Sequence, residues 1–489
     1  MFETFNFSKT DNFSSWFSQI CQRAELADMR YNVKGFLVYR PWSTIPMKLM
    51  FRIYEEELDK FGHQPVIFPS VIPESNFEVE KEHVVGFAPE VFWVTTAGKE
   101  EQLDERLALR PTSETAMYPL YSYWIRSWRN LPLKLYQSGK VWRYEGKSTR
   151  PFLRGREFIW IESHNVFATL EEAKAQTRED MRISMNVMWQ RFGIPFIQFK
   201  RPEWDKFCGS VFSYAADTLM PDGKFLQLPS THLLGDNFSK AFNIYYTDQE
   251  GNKKVTYQTC YGPAISRIFG AMVAVHGDDN GLIFPFEVAP LQIVIIPIPK
   301  KGTIEDIIDY CQELEQELAE RGYRVKTDLG DERPGDKYFF WEMKGVPLRL
   351  EIGQREANTE EVTIFRRDTR EKQTLSQEEF LSIVDVLGAK ITINLKTRAE
   401  EEFKRRLVIA KNWKELEKAI VNRKVVKIAF CSIEAEGEEC AMEIKDNLAA
   451  TVRGTDVQEI DAGIVPKKSE NCLICGKPAQ CYVYVGKQY

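Results

Sequence analysis

The sequence predicts a multidomain protein of mixed α/β and α+β class: an antiparallel sheet with flanking helices, then an α/β layer domain, then a small metal-binding domain. The chain has 489 residues, and a single hydrophobic core usually stops growing at about 250–300 residues. Aromatic-rich strand segments fill the first half, strands and helices alternate after residue 287, and cysteines cluster from Cys431 onward. We therefore expect three regions, 1–287, 288–395 and 396–489.

Composition argues for a soluble protein with no overall nucleic-acid-binding character. Lys and Arg number 65 against 71 Asp and Glu, a net charge of −6, so any RNA-binding surface must be local. We find no stretch of the roughly 18 apolar residues that a membrane helix needs. The N-terminal segment also lacks the apolar core of a signal peptide. The nine cysteines are dispersed before they cluster, which favours a reducing compartment, and we expect a cytoplasmic location.

Helical spacing of apolar residues opens the first region. It covers residues 44–62 and ends at Gly62, after which residues 64–69 predict a buried strand. Further strands are predicted from β-branched and aromatic segments. They are KLYQSGKVWRYE, REFIWIESHNVF, AFNIYYT and KVTYQT. The segment EEAKAQTREDMRISMNVMWQRFG predicts an amphipathic helix that packs on the sheet.

A strand–helix alternation marks the second region. LQIVIIPIP, YRVKTDL and VPLRLEI predict strands, and IEDIIDYCQELEQELAERG predicts a helix between the first two. Such alternation is typical of a layered domain with a parallel or mixed sheet. The charged helical stretch LKTRAEEEFKRRLVIAKNWKELEKAIVNRK then leads into the cysteine-rich region.

Four cysteines predict a structural metal site. Cys431 and Cys440 are followed by Cys472 and Cys475, the latter two in CLICGKPA. A glycine after the second cysteine lets backbone amides turn toward thiolates, and four thiolates suit tetrahedral Zn²⁺. The first pair is loosely spaced, so Cys481 is an alternative ligand. Buried cysteines without a metal are the other interpretation.

A cationic and acidic group surrounds a loop in the first region. Arg143 and Glu145 alternate in VWRYE and are expected on one face of a strand, while Arg154 and Phe158 follow in FLRGREF. Arginine holds a carboxylate or phosphate through paired bonds, a carboxylate accepts from an exocyclic amine, and a ring stacks on a base. Ordinary surface ion pairs explain the same residues.

A polar and aromatic set suits a small substrate that carries both charges. RPTSE at residues 110–114 contributes to it, although a helix N-cap explains that segment too. The other members are Trp160, Glu162, His164 and His232. Because neither a Ser-His-Asp arrangement nor an HExxH spacing is present, hydrolase chemistry is not supported.

These segments together resemble the class II aminoacyl-tRNA synthetases, and within them the archaeal and eukaryotic type of the prolyl-tRNA synthetase family. VWRYE, a loop and RGREF resemble motif 2, GPAISRIFGAMVAVHGDDNGL resembles motif 3, and the helix and strand that end at residues 68–69 resemble motif 1. Further matching blocks run through the chain in the family's order. They are RPTSETAMYP, STRPFLRGREFIW, RPEWDKF, LLGDNFSKAF, YQTCYG, HGDDNGL and KGVPLRLEIG.

The resemblance implies a fold, a reaction and partners. The fold is a class II synthetase catalytic domain (1–287), an α/β anticodon-binding domain (288–395) and a zinc-binding C-terminal domain (396–489). The reaction is activation of L-proline by ATP with Mg²⁺ to prolyl-adenylate, then transfer to the 3′ end of tRNA(Pro). No covalent enzyme intermediate is needed. The resemblance also implies a homodimer formed through motif 1.

Roles are implied for individual residues. The implied proline contacts are Thr112, Glu114, Arg143, Trp160, Glu162, His164 and His232. The implied ATP contacts are Arg143, Glu145, Arg154, Phe158, Gln227, Ser230 and Arg267, of which Arg143 and Arg267, on separate strands, are the catalytic clamp on the phosphates. The implied anticodon contacts are Arg333, Lys337, Glu342, Lys344 and Arg355, with solvated surface charge as the alternative. The implied zinc ligands are Cys431, Cys440, Cys472 and Cys475.

Some positions depart from the family pattern. They are Gly155 in place of Thr, Pro229 in place of Gly or Ala, Asp236 in place of Gln, and Phe284 and Phe286 around Pro285 in place of Leu-Pro-Pro. Because these changes fall near the implied substrates, one alternative is a specialised paralogue with altered inhibitor sensitivity or imino-acid specificity. Another is a non-catalytic tRNA-binding paralogue, against which the intact arginines argue.

Overall fold

The computed structural model describes residues 8–83, 90–144, 149–298 and 304–489. Within these ranges, no helix is both long and apolar enough to cross a bilayer. The first elements precede the main sheet. They are helices α1 (Phe13–Arg23), α2 (Pro41–Lys60), α3 (Glu74–His83) and α4 (Glu114–Trp124), and strands β1 (Ala27–Asp28), β2 (Val38–Tyr39), β3 (Gln64–Pro65), β4 (Val71–Pro73), β5 (Trp93–Ala97) and β6 (Glu101–Leu109).

The central elements of the first region follow. They are strands β7 (Leu133–Trp142), β8 (Glu157–Phe167), β9 (Ile197–Lys200), β10 (Phe212–Leu219), β11 (Lys224–Gly235), β12 (Tyr245–Thr247), β13 (Lys253–Val255) and β14 (Tyr257–Gly262), and helices α5 (Leu170–Ser184), α6 (Asn237–Ala241) and α7 (Ile265–His276). Thr169 and Glu172 cap α5 reciprocally at its N-terminus. A π-helical segment, Met185–Arg191, continues α5.

The second and third regions complete the chain. Their strands are β15 (Ile293–Pro297), β16 (Val325–Thr327), β17 (Leu348–Ile352), β18 (Glu361–Arg366), β19 (Lys372–Ser376), β20 (Leu407–Ile409), β21 (Val425–Phe430), β22 (Thr451–Asp456) and β23 (Cys481–Gln488). Their helices are α8 (Ile304–Glu320), α9 (Pro334–Lys344), α10 (Gln354–Thr359), α11 (Gln377–Arg406), α12 (Trp413–Val421), α13 (Glu438–Leu448) and α14 (Val457–Asp461).

An 11-stranded sheet forms the centre of the molecule. Its order is β20-β21-β23-β22-β9-β10-β11-β14-β8-β7-β3. Neighbours from β9 to β7 pair antiparallel, and β3 joins β7 in parallel. The predicted antiparallel sheet with flanking helices is therefore confirmed. Because side chains alternate along β8, Ile161 enters the core shared with α2 and α7, whereas Glu162 points to the opposite face.

The predicted elements differ in detail from the observed ones. Helix α2 confirms the helix predicted over residues 44–62. The buried strand predicted over residues 64–69 is wrong, because only Gln64 and Pro65 pair in the sheet and Ile67 is 94% exposed. The segment KVTYQT is divided between β13 and β14, since Thr256 leaves the strand and bonds to the Ile244 carbonyl.

The second region contains a mixed five-stranded sheet, as predicted, in the order β16-β15-β17-β18-β19. Strand β15 is parallel to both neighbours, and β17, β18 and β19 pair antiparallel. One departure from the family pattern lies at the junction with the first region. The Phe286 ring occupies space left by Gly388, where an added Cβ would lie 2.4 Å from a ring atom.

The third region continues the central sheet. Strand β22 pairs with β9 of the first region, and β23 pairs with β11. Helix α11 passes residue 395 without interruption, so the predicted boundary falls inside a helix. The charged stretch predicted as helical is broken by β20 between α11 and α12.

Candidate active site

A cavity of about 250 Å³ lies at the central sheet, on the face to which Glu162 of β8 points. It contains nearly all of the residues predicted to contact proline or ATP. Those that line it are Thr112, Glu114, Arg143, Phe158, Trp160, Glu162, His164, Gln227, Ser230, His232 and Arg267. The alternating positions of β8 account for four of them, because every second side chain faces the cavity.

Two arginines stand at this cavity. The Arg143 guanidinium lies 5.3 Å from the ring centroids of both Phe158 and Trp160, and its Nε donates to the Pro111 carbonyl at 3.0 Å. Arg267 donates to the carbonyls of Leu153 and Gln227. Both side chains line the cavity, as predicted. The prediction that they come from separate strands is wrong, because Arg267 lies in α7 and Arg143 follows the end of β7.

A buried acid–histidine pair forms the floor of the cavity. Glu162 bonds to the His164 Nε2 at 3.1 Å and accepts from the Gln137 amide at 2.8 Å. Tyr118 contacts the other ring nitrogen of His164 at 3.1 Å. Burial would raise the pKa of Glu162, but its bonds to His164 and the charge of Arg110 lower it on balance. Burial would likewise lower the pKa of His164, but neighbouring carboxylates raise it.

Glu162 and His164 therefore each stabilise the charged form of the other. Opposite charges a few ångströms apart favour the ionised form of both groups. Glu114 is the second carboxylate of the floor, and it accepts a hydrogen bond from Thr112. The arrangement provides acidic groups at one side of the cavity and arginines at the other. Such a cavity can bind a molecule that carries a cation and an anion.

His232 forms part of the opposite wall. Its ring nitrogens bond to Ser213 at 2.6 Å and Ser230 at 3.0 Å, and its ring lies 4.8 Å from that of Phe207. Burial and the charge of Arg201 lower the pKa of His232 to about 3. This histidine is therefore a neutral hydrogen-bonding group at physiological pH.

Two predicted nucleotide contacts are not in the lining. Arg154 is exposed on the turn that joins it to Arg150, and Glu145 lies outside the described residues. Two of the departures from the family pattern also lie outside the lining. At Gly155 an added Cβ would lie 2.9 Å from the Glu157 carbonyl oxygen, and Asp236 pairs with Lys240 at 2.7 Å. Neither of these two residues lines the cavity.

The predicted anticodon residues differ in exposure. Arg333 precedes α9 and is exposed, as is Arg355. The other three are largely buried. Lys337 donates to the Asp328 carbonyl at 2.8 Å, Glu342 accepts from Arg349 at 2.9 Å, and Lys344 bonds to Ala24 and Glu25 of the first region.

The four predicted metal ligands converge. The sulfur atoms of Cys431, Cys440, Cys472 and Cys475 all lie within 4.8 Å of one another. Cys431 and Cys440 are 3.7 Å apart. Cys481, the alternative ligand, is not in this group. The cluster can bind a metal ion.

Several cavity residues were not predicted. They are Asp205, Lys206, Phe207, Leu228, Cys260, Tyr261, Gly262 and Ala264. Six of them lie in RPEWDKF and YQTCYG, segments whose resemblance to the family implies no role for these side chains. Alternation along β14 is the signal that would have placed Cys260 and Gly262 on one face.

Comparisons with known proteins agree along the chain. The model "tRNA synthetase class II core domain (G, H, P, S and T)" matches residues 92–276. An anticodon binding domain matches residues 292–387, and the C-terminal domain of prolyl-tRNA synthetase matches residues 413–489. The matches follow the order that the resemblance implied.

Full-length relatives and solved structures are similar to this chain. A proline–tRNA ligase of Thermofilum pendens is 52% identical over 99% of this chain and 98% of the relative, and one of Methanopyrus kandleri is 41% identical over 98% and 96%. The prolyl-tRNA synthetase of Giardia lamblia in complex with prolyl-adenylate has a TM-score of 0.94 at 35% identity, covering 99% of this chain and 100% of that one.

We expect three buried histidines to remain neutral between pH 8 and 5.5. Burial lowers the pKa of His63 and His232 to about 3 and that of His276 to about 4. The unfolded value is about 6.5, so protons bind preferentially after unfolding, and their contribution to stability falls as the pH drops below about 6.5. NMR of histidine-labelled protein should show constant shifts for these rings and titration of His164 above pH 6.5. Titration of His232 near pH 6.5 would contradict its environment.

Proposed function

The chain belongs to the prolyl-tRNA synthetase family, and we propose that it activates L-proline with ATP and transfers the prolyl group to the 3′ end of tRNA(Pro). The observation that carries this proposal is one cavity with arginines and an aromatic ring at one side and a buried acidic floor at the other. The Giardia lamblia relative holds prolyl-adenylate, the expected intermediate.

We propose that the arginine side binds ATP. Arg143 and Arg267 would bind phosphate oxygens, Phe158 would stack on the adenine, and Gln227 and Ser230 would add hydrogen bonds. We propose that Glu145 accepts a hydrogen bond from the adenine amine and that Arg154 binds the γ-phosphate. Mg²⁺ is proposed to enter as the counterion of ATP, neutralising phosphate charge. The proline carboxylate then attacks the α-phosphorus in line, and the arginines stabilise the charge on the leaving pyrophosphate.

The acidic floor is proposed to bind the imino acid. Glu114 and Glu162 would face the secondary ammonium, Thr112 and His164 would orient these carboxylates, and Trp160 and His232 would bound the ring. The Glu162 carboxyl group is already ionised before the substrate binds, because neighbouring groups lower its pKa. A bound cation therefore does not have to deprotonate it.

The position of the departures supports proline over the alternative imino-acid specificity. Of the residues that depart from the family pattern, Gly155, Asp236, Phe284 and Phe286 do not line the cavity, and Pro229 lies between two residues that do. Phe286 instead packs against Gly388, and Asp236 pairs with Lys240. The presence of Arg143 and Arg267 at the cavity likewise argues against a non-catalytic paralogue.

We predict that Arg143→Ala lowers kcat/KM about 10²–10³-fold in proline-dependent exchange of pyrophosphate into ATP, as expected for loss of one preorganised charge-stabilising group. Arg52→Ala is the matched control, because Arg52 is 77% exposed on α2 and pairs with Glu56. It should retain wild-type exchange. Absence of exchange in the wild-type protein at saturating proline and ATP would refute the proposed function, and a different preferred imino acid would favour the specialised paralogue.

We propose that the region around residues 292–387 binds the tRNA anticodon. Arg333 and Arg355 are exposed and can reach RNA, whereas Lys337 and Glu342 would shape the adjoining surface. Lys344 bonds to Ala24 and Glu25, which supports a role in joining the second region to the first. Unpaired bases are read through stacking and edge hydrogen bonds.

We predict that Arg333→Ala lowers the affinity for tRNA(Pro) and leaves the exchange of pyrophosphate into ATP unchanged. Unchanged affinity for tRNA(Pro) would contradict the role proposed for Arg333.

We also propose that the protein is a cytoplasmic homodimer. Its chain is proposed to divide by function near residues 287 and 395, although helix α11 runs through residue 395. Exposed apolar side chains follow β3 and lie on α4, among them Ile67 (94% exposed) and Tyr123 (66%). Exposed apolar groups in one area are typical of an interface. Sedimentation should give twice the chain mass of 56.9 kDa, and a monomer at micromolar concentration would contradict the dimer.

The four-cysteine cluster is proposed to hold structural Zn²⁺. Tetrahedral zinc with Zn–S bonds of about 2.3 Å places its sulfurs about 3.8 Å apart, close to the 3.7 Å between Cys431 and Cys440. We predict one zinc per chain, and its loss, with lower thermal stability, in Cys472→Ser. Cys481→Ser should retain the metal. Mass spectrometry of the metal content tests both, and zinc loss in Cys481→Ser alone would support the alternative ligand.

A further inference from the structure

The segment of residues 201–207 lies between the cavity and the third region. Asp205, Lys206 and Phe207 line the cavity. On the other side, the Glu203 amide donates to the Ile433 carbonyl at 2.8 Å, and Trp204 packs against the core of the third region. One wall of the cavity is therefore supported by a part of the chain more than 200 residues away.

A buried charge network connects the same two parts. Asp217 is fully buried and accepts two hydrogen bonds from Arg201, at 3.0 and 2.7 Å, and one from the Arg453 Nε at 2.8 Å. Arg201 also donates to the Arg453 carbonyl at 2.8 Å. Arg453 lies on β22 in the third region, whereas Arg201 and Asp217 belong to the first. Neither arginine is more than 4% exposed.

The network reaches the cavity through Gln227. The Arg201 Nη2 atom donates to the Gln227 side-chain oxygen at 2.9 Å. The Gln227 backbone carbonyl accepts from Arg267 at 3.1 Å. Burial is the main cause of the low pKa of His232 in the cavity wall, and the charge of Arg201 lowers it further. Asp205 lies 3.8 Å from Arg201 and 3.9 Å from Arg453, at the cavity edge.

The backbone of β22 makes this approach possible at Gly454. Its φ of +126° is unfavourable for residues with a side chain, and an added Cβ would lie 2.1 Å from the Lys200 carbonyl. Strands β22 and β9 therefore come into close contact beside Arg453. That contact places the Arg453 guanidinium behind the part of the cavity wall that belongs to the first region.

We propose that Arg453 is a positioning residue for the nucleotide side of the cavity. Arg453 and Arg201 both donate to Asp217. This shared acceptor fixes the position of the Arg201 Nη2 atom, which donates to the Gln227 side chain. The third region thus completes the ATP site without contacting the substrate. This inference rests on the proposed function, because it takes Gln227 as an ATP contact.

The buried side chains of Arg201, Asp217 and Arg453 depend on one another. Two guanidinium groups and one carboxylate are withdrawn from water, and a buried charge that loses its partner is strongly unfavourable. If Arg453 is shortened, Arg201 can rotate toward the vacated side of Asp217. Its bond to Gln227 would then weaken, whereas Glu114, Glu162 and His164 keep their own partners.

Kinetics of pyrophosphate exchange with Arg453→Lys and Arg453→Gln test the proposal. We expect the KM for ATP to rise about three- to tenfold, the size of one lost hydrogen bond, while the KM for proline changes less than twofold. Arg453→Lys keeps the charge and should have the smaller effect. Arg178→Lys is the matched control, because Arg178 forms a two-bond ion pair with Asp461 of the third region without contacting this network. It should keep the wild-type KM for ATP.

A double-mutant cycle separates positioning from general damage. In a Gln227→Ala background, Arg453→Lys should change the KM for ATP less than twofold, because the bond it acts through is gone. An undiminished effect there, an equal rise in the KM for proline, or a wild-type KM for ATP in both Arg453 variants would overturn the inference. If Arg453→Gln does not fold, the lysine variant and the cycle still decide. Absence of exchange in the wild-type protein would instead refute the proposed function.

Discussion

The central sheet keeps ionised side chains away from water, and the shape of the cavity depends on their being paired. Moving a carboxylate or guanidinium into the protein interior costs several kcal/mol, about as much as its partners return. Glu162 and Asp217 are both almost completely buried, and each accepts several hydrogen bonds from fixed donors. Because each bond is short and directional, the partners have little freedom to move. The charges are therefore preorganised, as a reaction that transfers adenylyl and acyl groups requires.

The sequence predicted the parts of the cavity that lie on one strand or in one short motif. Alternation along β8 places Trp160, Glu162 and His164 on one face, and this follows from strand geometry alone. The four cysteines were also predictable, because their side-chain chemistry restricts what they can do together. The 64–69 strand was not, since a short apolar run gives no information about whether its outer side is covered.

Contacts between distant segments could not be predicted in this way. Arg453 and Asp217 are 236 positions apart, and nothing in the local sequence of either indicates the other. The boundary near residue 395 illustrates the same difficulty, because the change in composition there falls inside the continuous helix α11. The third region was predicted as a separate domain, yet its strands extend the central sheet. Sheet continuity depends on edge pairing, which periodicity does not reveal.

The environment of Cys260 shows how the cavity separates charge stabilisation from nucleophilic chemistry. A thiol at a substrate cavity is a potential nucleophile, but only the thiolate attacks. Burial, reinforced by the negative charge of Glu114, raises the pKa of Cys260 well above its usual range. The same carboxylate that suits a secondary ammonium therefore keeps the thiol protonated. A floor built to bind a cation opposes a covalent intermediate at Cys260, and direct attack by the substrate carboxylate is the route that these electrostatics favour.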